Sequence, residues 1–138
     1  MPAPAIDPEI GSVLEQIGAL LPVLDPPRLA EIRDQRMLLL EGVPLSDEVA
    51  RRDEVVPGPQ GAPDIELRIH TPVGLTGPAA CVYSIHGGGY VLGHRSMDDL
   101  RFDRWCPRLG FIGVSVEYRL APETPYPGPL EDCYAGLA

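Results

Sequence analysis

A run of three glycines, set between an apolar strand and a helix start, constrains this chain more than any other feature. Residues 80–85 read Ala-Cys-Val-Tyr-Ser-Ile, and His86-Gly87-Gly88-Gly89-Tyr90 follow directly. Consecutive glycines carry no Cβ atoms, so the backbone can enter positive φ and can be approached closely. Their N–H groups can converge on one point, an arrangement able to hold negative charge that develops on an oxygen during acyl transfer. Two other readings fit the glycines alone: a tight strand-to-helix turn, and a phosphate cradle. The phosphate reading has little support, because Leu92 stands where Gly-x-Gly-x-x-Gly needs its third glycine and no Gly-Lys-Ser/Thr occurs.

The flanking residues place that turn in an alternation of strands and helices. Val49 to Val56 predicts a strand, and Ile65, Leu67 and Ile69 alternate with Glu66, Arg68 and His70 as in a half-buried strand. The turn-rich stretch 57–63 joins them as a hairpin. Residues 79–86 are nearly continuously apolar, as expected of a strand buried on both faces. Ser96, with Asp99 three residues on, predicts a capped helix start; Phe102, Trp105, Cys106 and Leu109 form one helix face, and Gly110 ends it. Phe111 to Tyr118 reads as another buried strand, and Leu130, Cys133, Tyr134 and Leu137 begin a further helix. Such an order implies parallel strands with right-handed crossovers. Upstream, Asp7-Pro8 and Asp25-Pro26 each read as an N-cap followed by a first-turn proline, ahead of Ile10, Val13, Leu14 and Ile17 and of Leu29 and Ile32. Residues 1–45 are therefore predicted as a helical segment and 46–138 as the α/β domain.

The net charge of −9, with eleven arginines and no lysine, argues against nucleic acid or an anionic membrane as partner. The N-terminus lacks the basic start and apolar core of a signal peptide, and no apolar run reaches membrane-spanning length, so the expectation is a cytoplasmic protein without a stable membrane anchor. Cys81, Cys106 and Cys133 are widely spaced among apolar neighbours and read as reduced core thiols, without a metal-ligand pattern.

Residues 86–93 read His-Gly-Gly-Gly-Tyr-Val-Leu-Gly, and residues 117–132 read Glu-Tyr-Arg-Leu-Ala-Pro-Glu-Thr-Pro-Tyr-Pro-Gly-Pro-Leu-Glu-Asp. Together these blocks closely resemble the hormone-sensitive-lipase-like family of α/β-hydrolases, the bacterial family IV esterases and lipases. The resemblance runs from about Arg51 to Ala138; residues 1–45 match that family's cap in position more than in sequence. It implies a partial α/β-hydrolase fold, the first strands of a mostly parallel sheet in the order 1-2-4-3-5, with an N-terminal helical cap segment. It also implies that Gly88 and Gly89 are the backbone donors of an oxyanion hole, with Gly87 shaping the turn and His86 supporting the loop. Tyr90 and Val91 would border a small acyl-ester substrate, and Tyr118, Arg119, Glu123 and Asp132 would brace the loop. Arg119 and an acidic residue after it can form a partly buried ion pair. No metal or organic cofactor is implied.

The rest of that family's machinery does not occur in these residues. Its nucleophile sits in a Gly-x-Ser-x-Gly elbow, followed by Asp/Glu and then His. The nearest imitation, Gly113-Val114-Ser115-Val116-Glu117, lacks the last glycine and lies inside a strand, and Ser12, Ser46, Ser84 and Ser96 are no better placed. Nor do His70 and His94 complete a Ser–acid–His order. The expectation is a truncated hydrolase domain ending before the elbow, inactive alone, as part of a carboxylic ester hydrolase. Without a fifth strand, residues 80–86 would form an apolar edge through which the isolated chain self-associates. Two rivals stay open: a non-catalytic small-molecule-binding module, as in the plant gibberellin receptors that resemble the same family, and a partner-binding module using the exposed edge.

Overall fold

A computed structural model describes residues 6–20 and 24–138. These fall into two compact units, the first ending at Gln35 and the second spanning Arg36–Ala138. In the first unit, α1 spans Pro8–Leu20, and the Asp7 carboxylate accepts from the Glu9 N–H at 2.9 Å, the predicted cap. Its apolar residues Ile10, Val13, Leu14 and Ile17 are exposed. Asp25 departs from expectation: its side chain makes no cap bond, and a 3₁₀ turn at Pro26–Arg28 precedes α2, Leu29–Leu38. Leu29 and Ile32 are the buried positions of α2.

The second unit is a four-stranded sheet whose strands, numbered along the chain, lie in the order 1-2-4-3, which matches the implied order. Strands β1 (Val49–Val56) and β2 (Ile65–Pro72) form the predicted hairpin, with Val49 opposite Pro72 and Val56 opposite Ile65. β2 runs antiparallel to β4 (Ile112–Glu117), and β3 (Cys81–Ile85) runs parallel to it. Helix α3 (Asp99–Leu109) makes the crossover, and Gly110 ends it in the left-handed conformation at φ 68°. Helix α4 spans Gly128–Ala135.

Both faces of the sheet are packed, and this overturns one reading of β2. On one face Ile65, Leu67, Val116, Tyr118 and Cys133 form a cluster; on the other, Val49, Phe102, Cys106 and Phe111 form a second. His70, assigned by alternation to a solvent face, is completely buried: its ring centroid lies 5.1 Å from that of Phe102, and its Nε2 lies 2.9 Å from Asp99. Alternation marks a polar face, but α3 covers that face, and Asp99 gives the imidazole Nε2 a carboxylate partner there, while Nδ1 has none among the described residues. Gly113, opposite His70 on β4, makes room for this packing, since a Cβ there would lie 2.6 Å from the Phe102 ring.

Three further expectations need correcting. β3 is not buried on both faces: as an edge it leaves Cys81, Val82 and Ile85 exposed, so Cys81 is a surface thiol while Cys106 and Cys133 are core ones. Within α3 only Phe102 and Cys106 are buried, whereas Trp105 and Leu109 face outward and the Arg101 guanidinium lies 5.7 Å from the Trp105 ring. The same holds in α4, where Cys133 is inside and Leu130 and Tyr134 are exposed, as is Leu137 beyond the helix. Ser96 is not the cap; the His94 imidazole accepts from the Ser96 N–H at 3.1 Å and opens a 3₁₀ turn at Arg95–Asp98 that leads into α3. Among the described residues, no helix is long and apolar enough to cross a membrane.

Candidate functional site

The glycine turn leaves the C-terminal end of β3 and owes its shape to positions that only partly coincide with the glycine run. Gly87 has ordinary negative φ and open space around it. Positive φ begins at Gly88 (135°) and continues through Gly89 (62°) and Tyr90 (62°), returning at Gly93 (111°). A Cβ on Gly88 would lie 2.0 Å from the Leu92 carbonyl oxygen, and one on Gly93 would lie 2.1 Å from His86 Nδ1, so no side chain fits either position. The Gly88 carbonyl accepts from the N–H groups of Val91 and Leu92 at 3.2 and 3.0 Å, which closes the turn. Among the described residues, the N–H groups of Gly88 and Gly89 donate to no protein acceptor.

His86 is buried under this turn and held from β4. The Tyr118 hydroxyl donates to the His86 carbonyl at 2.7 Å, and the two rings stack with centroids 4.2 Å apart. Burial pushes the Tyr118 phenol up to about 12, so it remains a donor at neutral pH. His86 Nδ1 lies 3.1 Å from the Gly87 carbonyl, which makes it the protonated nitrogen; Nε2 is buried and has no partner among the described residues. Tyr90 meets the edge of Tyr118, and its carbonyl accepts from the Ala121 N–H at 2.8 Å. This bond pins a non-glycine residue in a backbone region that costs about 1 kcal/mol or more. Beside it, Tyr90, Ala121, Tyr126, Pro129 and Leu130 line an open apolar cavity of about 270 Å³.

The remaining predicted residues sort clearly. Arg119 and Asp132 come together: the Asp132 carboxylate, 1% exposed, accepts from the Arg119 backbone N–H (3.0 Å), Nε (2.7 Å) and one terminal nitrogen (2.6 Å). This ties the segment after β4 to α4. Val91 is half-buried in the turn, and Glu123 is exposed just after the cis Ala121–Pro122 bond.

Sequence reasoning missed Arg95, Glu117 and His94, whose charges follow no periodic pattern. His94 Nδ1 lies 2.7 Å from the Ser96 hydroxyl and Nε2 lies 3.3 Å from Glu117, an order of groups that superficially matches a serine–histidine–acid relay. Its chemistry is that of a cap. The Nδ1 lone pair already receives the Ser96 N–H, and burial together with the neighbouring Arg95 guanidinium lowers the imidazole pKa despite the opposing pull of Glu117. Ser115 is fully buried within β4, in no position to attack a substrate. Among the described residues, no group of His, Cys, Asp and Glu side chains could hold a metal ion.

Comparison with known proteins agrees with this geometry. A family model described as an alpha/beta hydrolase fold matches residues 82–138. Esterase LipI of Mycobacterium tuberculosis is 36% identical over 134 residues, covering 96% of this chain and 40% of its own length. Hormone-sensitive lipase of Bos taurus is 36% identical over 75 residues, 54% of this chain and 10% of that protein. The structure of a bacterial heroin esterase superposes with a TM-score of 0.76 at 36% identity, over 99% of this chain and 43% of that one. The chain thus spans about 40% of the length of the full-length relative it matches end to end. The turn, its β4 brace and these likenesses together place the chain in the hormone-sensitive-lipase-like family of α/β-hydrolases, over the N-terminal portion of that fold.

Proposed function

We propose that this chain supplies the oxyanion-binding part of a serine carboxylic ester hydrolase and does not turn over esters by itself. Gly88 and Gly89 present backbone N–H donors to the tetrahedral oxyanion, His86 and Gly87 support that turn, and Tyr90 and Val91 border the ester. Tyr118, Arg119, Glu123 and Asp132 form the scaffold beneath. The observation that carries this reading is the turn itself: two adjacent N–H groups without protein acceptors among the described residues, in a backbone that tolerates no Cβ at Gly88. Preorganised donors of this kind stabilise the charge that develops on the attacked carbonyl. The covalent step requires a serine activated by histidine; no Gly-x-Ser-x-Gly elbow occurs in this sequence, and the Ser96–His94 contact is a helix cap. The apolar cavity beside Tyr90 suits a short-to-medium acyl ester, and it equally suits the second reading, a module that binds a small molecule without turnover.

A chimera decides between them, with this chain replacing the aligned 134 residues of esterase LipI. The chimera is expected to hydrolyse p-nitrophenyl butyrate, and Gly88→Ala within it to lower kcat by about 10²–10³ with KM little changed, the scale of one lost oxyanion donor. The 138-residue chain alone is expected to match the buffer rate. A folded Gly88→Ala chimera that turns over at the parent rate overturns the oxyanion reading; a folded chimera that binds the ester without hydrolysing it favours the binding module.

A further inference from the structure

Beside the glycine turn lies a charged cluster that the proposed chemistry does not use. Arg95, at the root where the turn enters α3, contacts carboxylates from three strands: Asp53 of β1 at 3.2 Å, Glu66 of β2 at 2.9 Å and Glu117 of β4 at 3.4 Å. Its side chain is only 12% exposed. Glu66 and Glu117 stand directly opposite each other in the β2–β4 register, a placement that repels. The Arg95 guanidinium bonds to both and relieves that repulsion, but only while the root of the turn is docked on the sheet. Glu117 does more than share the cation. Its Oε2 also accepts from the Arg95 backbone N–H at 2.8 Å and lies 3.3 Å from His94 Nε2. Arg68 bridges Asp53 and Asp99 at 2.8 and 2.9 Å and so joins the cluster to His70, completing its attachment to the hairpin.

Three of the holds on the turn come from one stretch of chain, residues 117–121. Tyr118 grips the entry at the His86 carbonyl, Ala121 grips the middle at the Tyr90 carbonyl, and Glu117 grips the exit at the Arg95 N–H. We propose that Glu117 is a positioning residue: through Arg95 and His94 its carboxylate sets the exit of the glycine turn and thereby the aim of the Gly88 and Gly89 N–H groups. This rests on the oxyanion reading for its catalytic meaning, but the mechanical hold can be measured without it. Charge-assisted hydrogen bonds are roughly twice as strong as neutral ones, and Glu66, more than half exposed and paired with the Arg95 side chain rather than its backbone N–H, cannot replace this contact.

The test is amide hydrogen exchange on the 138-residue chain, read at Val91 and Leu92, which bond to Gly88, and at Ala121, which bonds to Tyr90. Glu117→Ala is expected to speed exchange at these amides about tenfold while β1–β2 amides such as those of Arg52 and Ile69 keep their rates, the scale of one charge-assisted bond at a partly exposed site. Glu117→Gln, which retains an acceptor for the Arg95 N–H, should recover part of the protection, and Glu66→Gln should leave the turn unchanged. Unaltered exchange at the three reporters, or an equal loss across β1–β2, overturns the proposal. Should Glu117→Ala fail to fold, Glu117→Gln and Arg95→Lys carry the same comparison. In the LipI chimera, Glu117→Gln is expected to lower kcat several-fold at constant KM. A turn loosened by Glu117→Ala, in a protein where Gly88→Ala spares turnover, upholds the clamp and rejects only the oxyanion reading.

Discussion

Replacing Asp132 by alanine tests the energetic centre of the scaffold. The carboxylate is almost wholly buried and satisfies three donors of Arg119, two on the guanidinium and one on the backbone. Breaking a buried pair by removing one partner costs about 3–5 kcal/mol, chiefly because the other charge is left uncompensated. Here the Arg119 side chain is 33% exposed, so water recovers part of that loss, and the expected destabilisation is about 2–3 kcal/mol. With m of about 1–3 kcal/mol/M in urea, the unfolding midpoint should fall by roughly 0.7–3 M. The assay is urea denaturation followed by far-UV circular dichroism and by the fluorescence of Trp105, the one tryptophan in the chain. The double variant Asp132→Ala/Arg119→Met should be less destabilised than Asp132→Ala alone, because the orphaned charge is then gone. Coincident midpoints for Asp132→Ala and the parent would refute the reasoning, and a double variant worse than the single would locate the energy in packing.

Two further outcomes follow from the geometry. The fold holds His94 neutral, with its pKa lowered by burial against the raising effect of Glu117, while the unfolded ring titrates near pH ~6.5. Just below that pH the unfolded chain binds more protons, so this contribution is complete above about pH 6.5 and is lost as pH falls beneath it. His94→Asn keeps a cap acceptor without titrating, and urea midpoints between pH 7 and 5.5 should fall less steeply for it than for the parent; equal slopes would contradict the cap assignment. We also propose that the unpaired edge of β3, which carries no charge along Cys81–Ile85, drives self-association of the chain, and that Val82→Lys opposes it. Light scattering after gel filtration should give a lower mass for Val82→Lys, and a monomeric parent would remove the idea.

The fold was legible where one physical signal governed it and obscure where two competed. The hairpin, the left-handed Gly110 stop and the parallel β3–β4 pair follow from period, turn chemistry and chain order. His70 misled because alternation records polarity, and a buried imidazole with a carboxylate partner looks the same in sequence as an exposed one. The outward turn of Trp105 and Leu109 was obscured in the same way: an apolar pattern three and four residues apart marks a stripe wider than the part a single neighbouring sheet can cover. At the site, the glycine run marks the turn but not which residues carry its positive φ angles. Gly87 is conformationally ordinary, whereas Tyr90 and Gly93, outside the run, carry positive φ. The Arg95–Glu117 contact spans 22 residues of sequence and is a matter of docking, which no local pattern reports.

The two sequence blocks that identify the family, 86–93 and 117–132, are one physical object. The turn has little to hold itself in shape: two bonds onto the Gly88 carbonyl close it, while Tyr90 sits in a backbone region that resists occupation. A loop of that kind relaxes unless its surroundings over-determine it. The surroundings here are the end of β4 and the segment after it, which grip the turn at His86, Tyr90 and Arg95 and are themselves fixed to α4 by the Arg119–Asp132 pair. Rigidity therefore flows from the buried Asp132 through residues 117–121 into the glycines. The turn can leave the Gly88 and Gly89 N–H groups without an acceptor among the described residues because its carbonyls and flanks take up the bonds that hold it. On the proposed reading, donors left for a substrate and a backbone too constrained to collapse onto them are both consequences of that one division of hydrogen bonds.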